Sequence, residues 1–465
     1  MNMINVRRLT VMTFLGAGML SGISAQVSPL QVDTLKETKI PDQWDLQSCI
    51  DYAKEQNITI RKNRITAAST QIDVKTAKAA MFPSLSFSTS QQVVNRPYQE
   101  TSSRVSGSEI ISSNSKTSYN GNYGLNASWT LYNGNKRLKT IQQEKLNNQV
   151  AELDVATSEN NIQESIAQVY IQILYAAESV KVNESTLQVS IAQRDRGQEL
   201  LNAGSIAKSD FAQLEAQVST DRYQLVTAQA TLEDYKLQLK QLLELDGENE
   251  MNIYLPALSD ENVLAPLPTK RDVYISALSL RPEIEASKLN VEASELGINI
   301  AKSSYFPTIS LSAGIGTNHT SGSDFTFGEQ VKNGWNNSIG LSVSVPIFNN
   351  RQTKSAVQKA KLQYETSMLS LLDEQKALYK TIESLWLDAN SAQQRYAAAN
   401  EKLKSTQISY ELISEQFNLG MKNTIELLTE KNNLLQAQQE QLQAKYMAIL
   451  NMQLLKFYQG DQLAI

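Results

Sequence analysis

Two segments of the chain alternate strictly between apolar and small polar residues, and the long tracts that follow them repeat apolar residues every seven positions. In the first segment Leu85 and Phe87 alternate with Ser84, Ser86 and Ser88. On its return Tyr123, Leu125, Ala127, Trp129 and Leu131 alternate with Asn122, Gly124, Asn126, Ser128 and Thr130. In the second segment Ile309, Leu311, Ala313 and Ile315 alternate with Ser310, Ser312, Gly314 and Gly316. Its return alternates Ile339, Leu341, Val343, Val345 and Ile347 with Ser338, Gly340, Ser342 and Ser344. Side chains two apart share a face of a strand, so this pattern predicts two strand pairs, at about 84–131 and 307–347. The stretches at about 95–118 and 318–336, rich in Ser, Gly, Asn and Thr, read as long loops.

The seven-residue repeat runs through Leu378, Leu385, Ala392 and Ala399, through Leu428, Leu435, Leu442 and Ile449, and through Ile166, Ile173, Val180 and Leu187. Proline is absent from 98 to 255 and from 347 to the end. Gly197 and Gly204 are the only glycines between Gly134 and Gly247, and Gly420 is the only one between Gly340 and Gly460. Few helix breakers and coiled-coil spacing together predict very long helices. A helix over about 135–200 would extend ~100 Å at 1.5 Å per residue. Many seam positions are Ala, Gln or Asn, which suits a broad wall of helices better than a two-stranded rope.

The pattern is duplicated. Residues 77–86, AKAAMFPSLS, align with 301–310, AKSSYFPTIS, at an offset of 224, and Trp129–Asn133 aligns with Val345–Asn349 at 216. Gly204 matches Gly420 at the same 216. Each repeat therefore reads as helix, strand pair, long helix, glycine-marked turn and return helix, over 26–245 and 270–465. Residues 246–269, with Pro256, Pro266 and Pro268, link the two.

Composition narrows the chemistry. In 465 residues there is one Cys, Cys49, and one His, His319, so zinc clusters and imidazole-based hydrolysis have no ligand set, and no phosphate-binding Gly-rich loop appears. These features predict a non-enzyme without cofactor or metal. Cys49 has no disulfide partner within the chain and reads as a small buried apolar residue. Arg7 and Arg8 before the apolar stretch Leu9–Leu20, with small residues up to Ala25, predict a signal peptide over 1–25. Net charge is −5, and −7 without the two leader arginines, which gives no footprint for nucleic acid.

Beyond residue 25 no apolar run approaches the ~18 residues of a spanning helix, so any membrane crossing must be a β-barrel. The polar strand positions carry no Lys, Glu or Arg, as expected of a watery lumen. Ser86, Asn126, Ser312 and Ser342 are the candidate lumen-facing residues. Phe82, Tyr132, Tyr305, Phe306 and Phe348, at the strand ends, fit an interfacial aromatic girdle. Four strands cannot close a barrel and open edges cannot face lipid, so several chains are required, and three give twelve strands.

The paired signals Phe82-Pro83 and Phe306-Pro307, the duplication, and the turns Ala203-Gly204-Ser205-Ile206-Ala207-Lys208-Ser209-Asp210-Phe211 and Leu419-Gly420-Met421-Lys422-Asn423-Thr424-Ile425-Glu426 resemble the TolC-like outer-membrane efflux family over nearly the whole chain. The resemblance implies a mainly α fold with a transmembrane β-barrel contribution. In it a homotrimer forms a twelve-stranded barrel continued by a periplasmic α-barrel, with the linker near the middle of the latter. It implies outer-membrane lipid, a periplasmic adaptor and an inner-membrane pump as partners of a passive efflux duct. By the same resemblance the gate falls on Glu426 and on a restraining pair of Asp210 and Lys422. Thr429 and Phe417 depart from the family pattern of a second acid and a tyrosine. Gly204, Ser209, Gly420 and Thr424 fall in the adaptor-contact turns. A type I protein-secretion duct, a trimeric adhesin and a periplasmic coiled-coil scaffold are the alternative readings.

Overall fold

The computed structural model describes residues 41–98, 102–106, 109–113, 116–246, 251–256, 263–321, 323 and 325–464. The expected signal peptide and the residues after it, up to 40, lie outside the described residues. From Gln43 onward the chain is one unit.

Two sets of helices of matched length carry the duplication. The first set is α1 (Leu46–Gln56), α2 (Ile58–Ala79), α3 (Lys136–Asn202) and α4 (Lys208–Leu242), with 11, 22, 67 and 35 residues. The second is α5 (Lys270–Leu280), α6 (Pro282–Ser303), α8 (Gln352–Asn418) and α9 (Thr424–Gln459), with 11, 22, 67 and 36. A short helix α7 (Phe327–Asn333) lies between them in the second strand pair. Local chemistry fixes the helix ends. Asp45 caps α1 by accepting from the Ser48 N–H at 2.8 Å, and Asn57 caps α2 by accepting from the Thr59 N–H at 2.9 Å. Both 67-residue helices start from paired left-handed residues, Gly134-Asn135 and Asn350-Arg351, which turn the chain sharply from strand region to helix. A Cβ on Gly134 would sit 2.7 Å from the Ser303 carbonyl oxygen, so this turn also needs glycine for space.

The strands are β1 (Ser84–Asn95), β2 (Ser102–Ser106), β3 (Glu109–Ser113), β4 (Thr117–Asn133), β5 (Thr308–Thr320) and β6 (Asn336–Ser344). The two strand pairs merge into one antiparallel sheet, β1-β4-β5-β6. Three details differ from the sequence pattern. The expected loop at 95–118 contains the separate hairpin β2-β3, and the loop at 318–336 contains α7, started by a capping box between Thr326 and Glu329. A bulge between Thr130 and Tyr132 leaves Leu131 as the extra residue, so Tyr132 pairs with Ile309 in the place the alternation gives to Leu131. β6 ends at Ser344, before Val345 and Ile347, because Pro346 has no N–H to donate to a ladder.

The helices form a wall one layer thick that is reinforced at mid-height. Above the middle α3 packs against α2 and α6, and α6 against α8. Below it α3 packs against α4 and α9, and α9 against α8. The main core lies where α1, the linker and the chain end wrap the middles of these helices, around Trp44, Cys49, Ile50, Tyr170, Leu174 and Tyr396. The linker is tied in by polar contacts: Tyr170 OH donates to the Tyr254 carbonyl at 2.6 Å, and Gln393 Nε2 donates to the carbonyls of Val263 (3.0 Å) and Ala265 (2.8 Å). Trp44 pairs with Ile253 in a single parallel bridge. Among the described residues no helix is long and apolar enough to cross a membrane.

Cys49 is fully buried in this core, and burial pushes its thiol up to about 12. Since the thiolate is the reactive form, the native protein should resist iodoacetamide at about pH 8 and react only in denaturant, read by intact-mass spectrometry. Stoichiometric labelling of the native protein would contradict this packing.

Candidate functional site

Each end of the wall presents a distinct chemistry. In the sheet, the register pairs Ser86 with Asn126, Asn126 with Gly314, Ser312 with Ser128 and Gly340, and Ser310 with Ser342. Ser86, Asn126, Ser312 and Ser342 therefore share one face, crossed by rows of Ser, Gly and Asn. Asn126 Nδ2 donates to Ser88 Oγ at 3.4 Å, and the Ser312 hydroxyl donates to the Gly340 carbonyl at 3.3 Å. The opposite face stacks Leu85, Ala127, Ala313 and Ile339 in one row and Trp129, Leu311 and Leu341 in another. It is bare in the single chain: Ile339 is 83% exposed and Leu341 64%.

At the far end, α3 and α4 join in one hairpin and α8 and α9 in another, through turns of the same construction. The Ser205 N–H donates to the Leu200 carbonyl and the Gly204 N–H to that of Leu201. The Met421 N–H likewise donates to the Gln416 carbonyl and the Gly420 N–H to that of Phe417. This helix stop requires a left-handed residue, and Gly204 and Gly420 supply it at φ +73° and +74°. No atom lies within 4 Å of a Cβ built on either, so substitution there is opposed by backbone strain alone, about 1–2 kcal/mol.

The charged residues of the tips are engaged differently from expectation. Glu426 is the third residue of α9 and forms a full capping box: Asn423 Oδ1 accepts from the Glu426 N–H at 2.9 Å, and Glu426 Oε2 accepts from the Asn423 N–H at 3.2 Å. Its other oxygen accepts from Lys422 Nζ at 2.6 Å. Asp210 accepts from the Ala207 N–H at 3.3 Å, the corresponding half of a box, since Ala207 has no side-chain acceptor. Within one protomer the expected Asp210–Lys422 pair is thus not made, because Lys422 has a carboxylate one turn away on its own hairpin. Thr424 is only 2% exposed, which removes it from the contact surface, and Phe417 is buried too. Ser209 is exposed, and Leu419, Met421 and Ile425 crown the second tip as bare apolar side chains. Thr429 donates to the Ile425 carbonyl at 2.7 Å.

A buried polar cluster joins the two hairpins, and its residues are not among those expected from the sequence pattern. Lys431 of α9 donates to Asp221 of α4 and to Ser190 of α3, and Ser190 donates to Asp221. All three are buried, Lys431 at 3% and Asp221 at 1% exposure. Gln217 Nε2 donates to Asp221 Oδ1 at 2.9 Å, and nearby Gln193 Nε2 donates to Tyr410 OH at 2.8 Å. Burial holds the Lys431 ammonium below the usual lysine range, with Asp221 opposing that effect. A signal was available: Lys431 interrupts the apolar stripe of Leu427, Leu434 and Leu435, and Asp221 continues that of Leu214 and Val218.

Residues 49–244 and 273–460 match the outer membrane efflux protein family. Among relatives, the outer membrane efflux protein BepC of Brucella suis is 24% identical over 290 residues, 62% of this chain and 60% of that protein. The outer membrane protein TolC of Escherichia coli is 23% identical over 311 residues, 65% of this chain and 62% of that protein. The aligned chain thus spans about three-fifths of the length of either. A crystal structure of CusC superposes with a TM-score of 0.76 at 19% identity, covering 90% of this chain and 92% of that one, which establishes a shared fold.

Two outcomes follow from the tip. Lys431→Met strands a buried carboxylate and should lower unfolding stability by about 3–5 kcal/mol, whereas adding Asp221→Leu should recover most of the loss, both read by denaturant unfolding in detergent. The Glu426 carboxyl is held below its usual range, first by Lys422 and then by the Asn423 N–H. Its stabilising contacts are therefore intact above the ordinary carboxylate range and are lost as pH falls through the depressed folded value. Lys422→Ala should move that titration upward, as followed by carboxyl infrared bands. An unmoved titration would reject the pairing.

Proposed function

The chain belongs to the outer membrane efflux protein family, and from that premise we propose that three copies close into the exit duct of an efflux system. It is an outer-membrane transport protein and not an enzyme. The observation that carries the duct reading is that every layer of the wall ends in an unpartnered edge on the same two sides. One side bears the free edge of β1, the exposed stripe Ile58, Ile65 and Ile72 of α2, and the exposed Val226 of α4. The other bears the free edge of β6 and the exposed Leu362, Leu369, Ile408 and Leu412 of α8. Joining unlike sides head to tail satisfies all of them together, and such an interface closes into a ring.

The sheet length supports a crossing. Its strands have 12, 17, 13 and 9 residues, and a tilted spanning strand needs about 9–11. Three copies give twelve strands with the Ser, Gly and Asn face around water and the Leu, Ile and Phe face toward lipid. The helical hairpins then form the periplasmic extension, and the apolar crown of Leu419, Met421 and Ile425 with the Gly204 and Gly420 turns is the surface offered to a periplasmic adaptor and, through it, an inner-membrane pump. The gate is a ring of three Glu426 carboxylates, each offset by its own Lys422, so the closed tip favours cations only weakly. Small molecules are the cargo favoured by this reading, with energy supplied by the pump.

Crosslinking in detergent should trap trimers. Leu341→Arg should impair assembly, at roughly 2–4 kcal/mol near the bilayer midplane, while Ser342→Arg should assemble and alter conductance. Equal assembly defects at both positions would overturn the facing of the sheet. In planar bilayers Lys422→Ala should raise cation selectivity and Glu426→Gln should lower it, since each removes one half of the pair. Selectivity indifferent to both would reject the ring.

A further inference from the structure

We propose that the groove between α2 and α3, directly beneath the sheet, binds the phosphate headgroup of an anionic phospholipid in the periplasmic leaflet of the outer membrane. The proposal rests on the membrane orientation of the duct. The groove has a volume of about 400 Å³ and is lined by Lys75, Lys78 and Lys145, with Asn148, Gln149 and Glu152 beside them. All three lysines are exposed, and none has an ion-pair partner among the described residues. Glu152, the one acid of the groove, accepts from Asn148 Nδ2 at 2.7 Å. Three ammonium groups converging on one cleft repel one another, and a phosphate bridging them turns that repulsion into charge-assisted hydrogen bonds.

Depth along the wall identifies the source of the phosphate. On each helix that abuts the sheet, a lysine lies four or seven residues farther from the sheet than an exposed apolar side chain. Lys78 and Lys75 stand below Phe82, Lys145 below Leu138, Lys302 below Phe306, and Lys354 below Ile347, which is 97% exposed. On α3 the seven residues from Leu138 to Lys145 are about 10 Å of helix, which carries the wall from the edge of the hydrocarbon into the headgroup layer, where long basic side chains reach phosphate. Carboxylates are sparse around this zone: Glu152 lines the groove, Asp73 and Glu144 adjoin its lysine-bearing stretches in sequence, and the segments nearer the sheet hold none. No Asp or Glu occurs from 74 to 99, 110 to 143, 296 to 323 or 330 to 364. At the opposite end of the sheet the short helix α7 carries an acid, Glu329. In a chain of net charge −5, this leaves the sheet-proximal helix ends richer in lysine than in carboxylate. Two nearby cations are already spent on the fold: Arg137 donates to the carbonyls of Ala80 and Thr130, and Lys139 to that of Asn299.

The test is native mass spectrometry of the purified full-length protein with dioleoyl phosphatidylglycerol, dioleoyl phosphatidylcholine, or inorganic phosphate as competitor. The wild type should retain phosphatidylglycerol over phosphatidylcholine by about tenfold or more, K75Q/K78Q/K145Q should lose that preference, and K75R/K78R/K145R should keep it. Equal retention of the two lipids by the wild type, or an unchanged preference in the glutamine variant, would overturn the proposal. So would displacement of the lipid by millimolar inorganic phosphate, which would mark a site for the free anion. Conductance of the wild type in a neutral bilayer tests the duct separately: a conducting wild type without lipid preference defeats the groove alone, and a non-conducting one defeats the duct.

Discussion

An unclosed wall is the constraint on which everything else here depends. A sheet of four strands has two free edges, and each free edge presents a row of backbone groups that cannot be left unpaired in hydrocarbon, at several kcal/mol per group. Below the sheet the same two sides carry exposed apolar side chains, Ile58, Ile65 and Ile72 on one and Leu362, Leu369, Ile408 and Leu412 on the other. A soluble monomer would bury such stripes in its own core, but a layer one helix thick has no interior to receive them. Burial between copies is the remaining outlet, and a ring satisfies sheet edges and helix edges at once. The small residues on the polar sheet face fit the proposed closure of the wall by its neighbours.

Buried charge is used at two levels of the wall. At mid-height, α1, α5 and the linker add a second layer over an apolar core that holds Cys49 and Tyr170, and beside it the buried Arg281 of the α5–α6 junction pairs with Glu164 and Glu283. Toward the tips there is no second layer, and the two hairpins touch along a narrow line. There the joint is Lys431 with Asp221 and Ser190, supported by the hydrogen bond of Gln193 to Tyr410. An apolar joint of equal area would hold the hairpins together without fixing their register. A buried ion pair is weak as a source of stability and strict in geometry, since sliding either hairpin strands a charge.

The duplication is close in scaffold and loose in chemistry. Helix lengths of 11, 22 and 67 residues recur in both halves, and the left-handed pairs Gly134-Asn135 and Asn350-Arg351 occupy equivalent places. Yet the second tip has a full capping box and an ion pair, while the first has Ala207 where Asn423 stands and makes half the box.

What the sequence determined by itself is what repeats along the chain. Heptads, alternation and the glycines at 204 and 420 each depend on neighbours a few residues away, and the offsets of 224 and 216 repeat those local patterns, so helix, strand and turn were legible in the sequence. Membership of Ser86, Asn126, Ser312 and Ser342 in a polar face was legible for the same reason, because alternation fixes facing within a strand. What only the tertiary structure decided depends on residues far apart. Lys431 meets partners 210 and 241 positions away, and nothing local distinguishes it from any other lysine except its place in an apolar stripe. Lys422 chose Glu426 over Asp210 because a partner one helical turn away has almost no chain entropy to lose, whereas one across the hairpins must wait for docking. Thr424 went inside, Leu131 became a bulge and two strand pairs became one sheet because packing across the wall, which no short window of sequence contains, sets those positions.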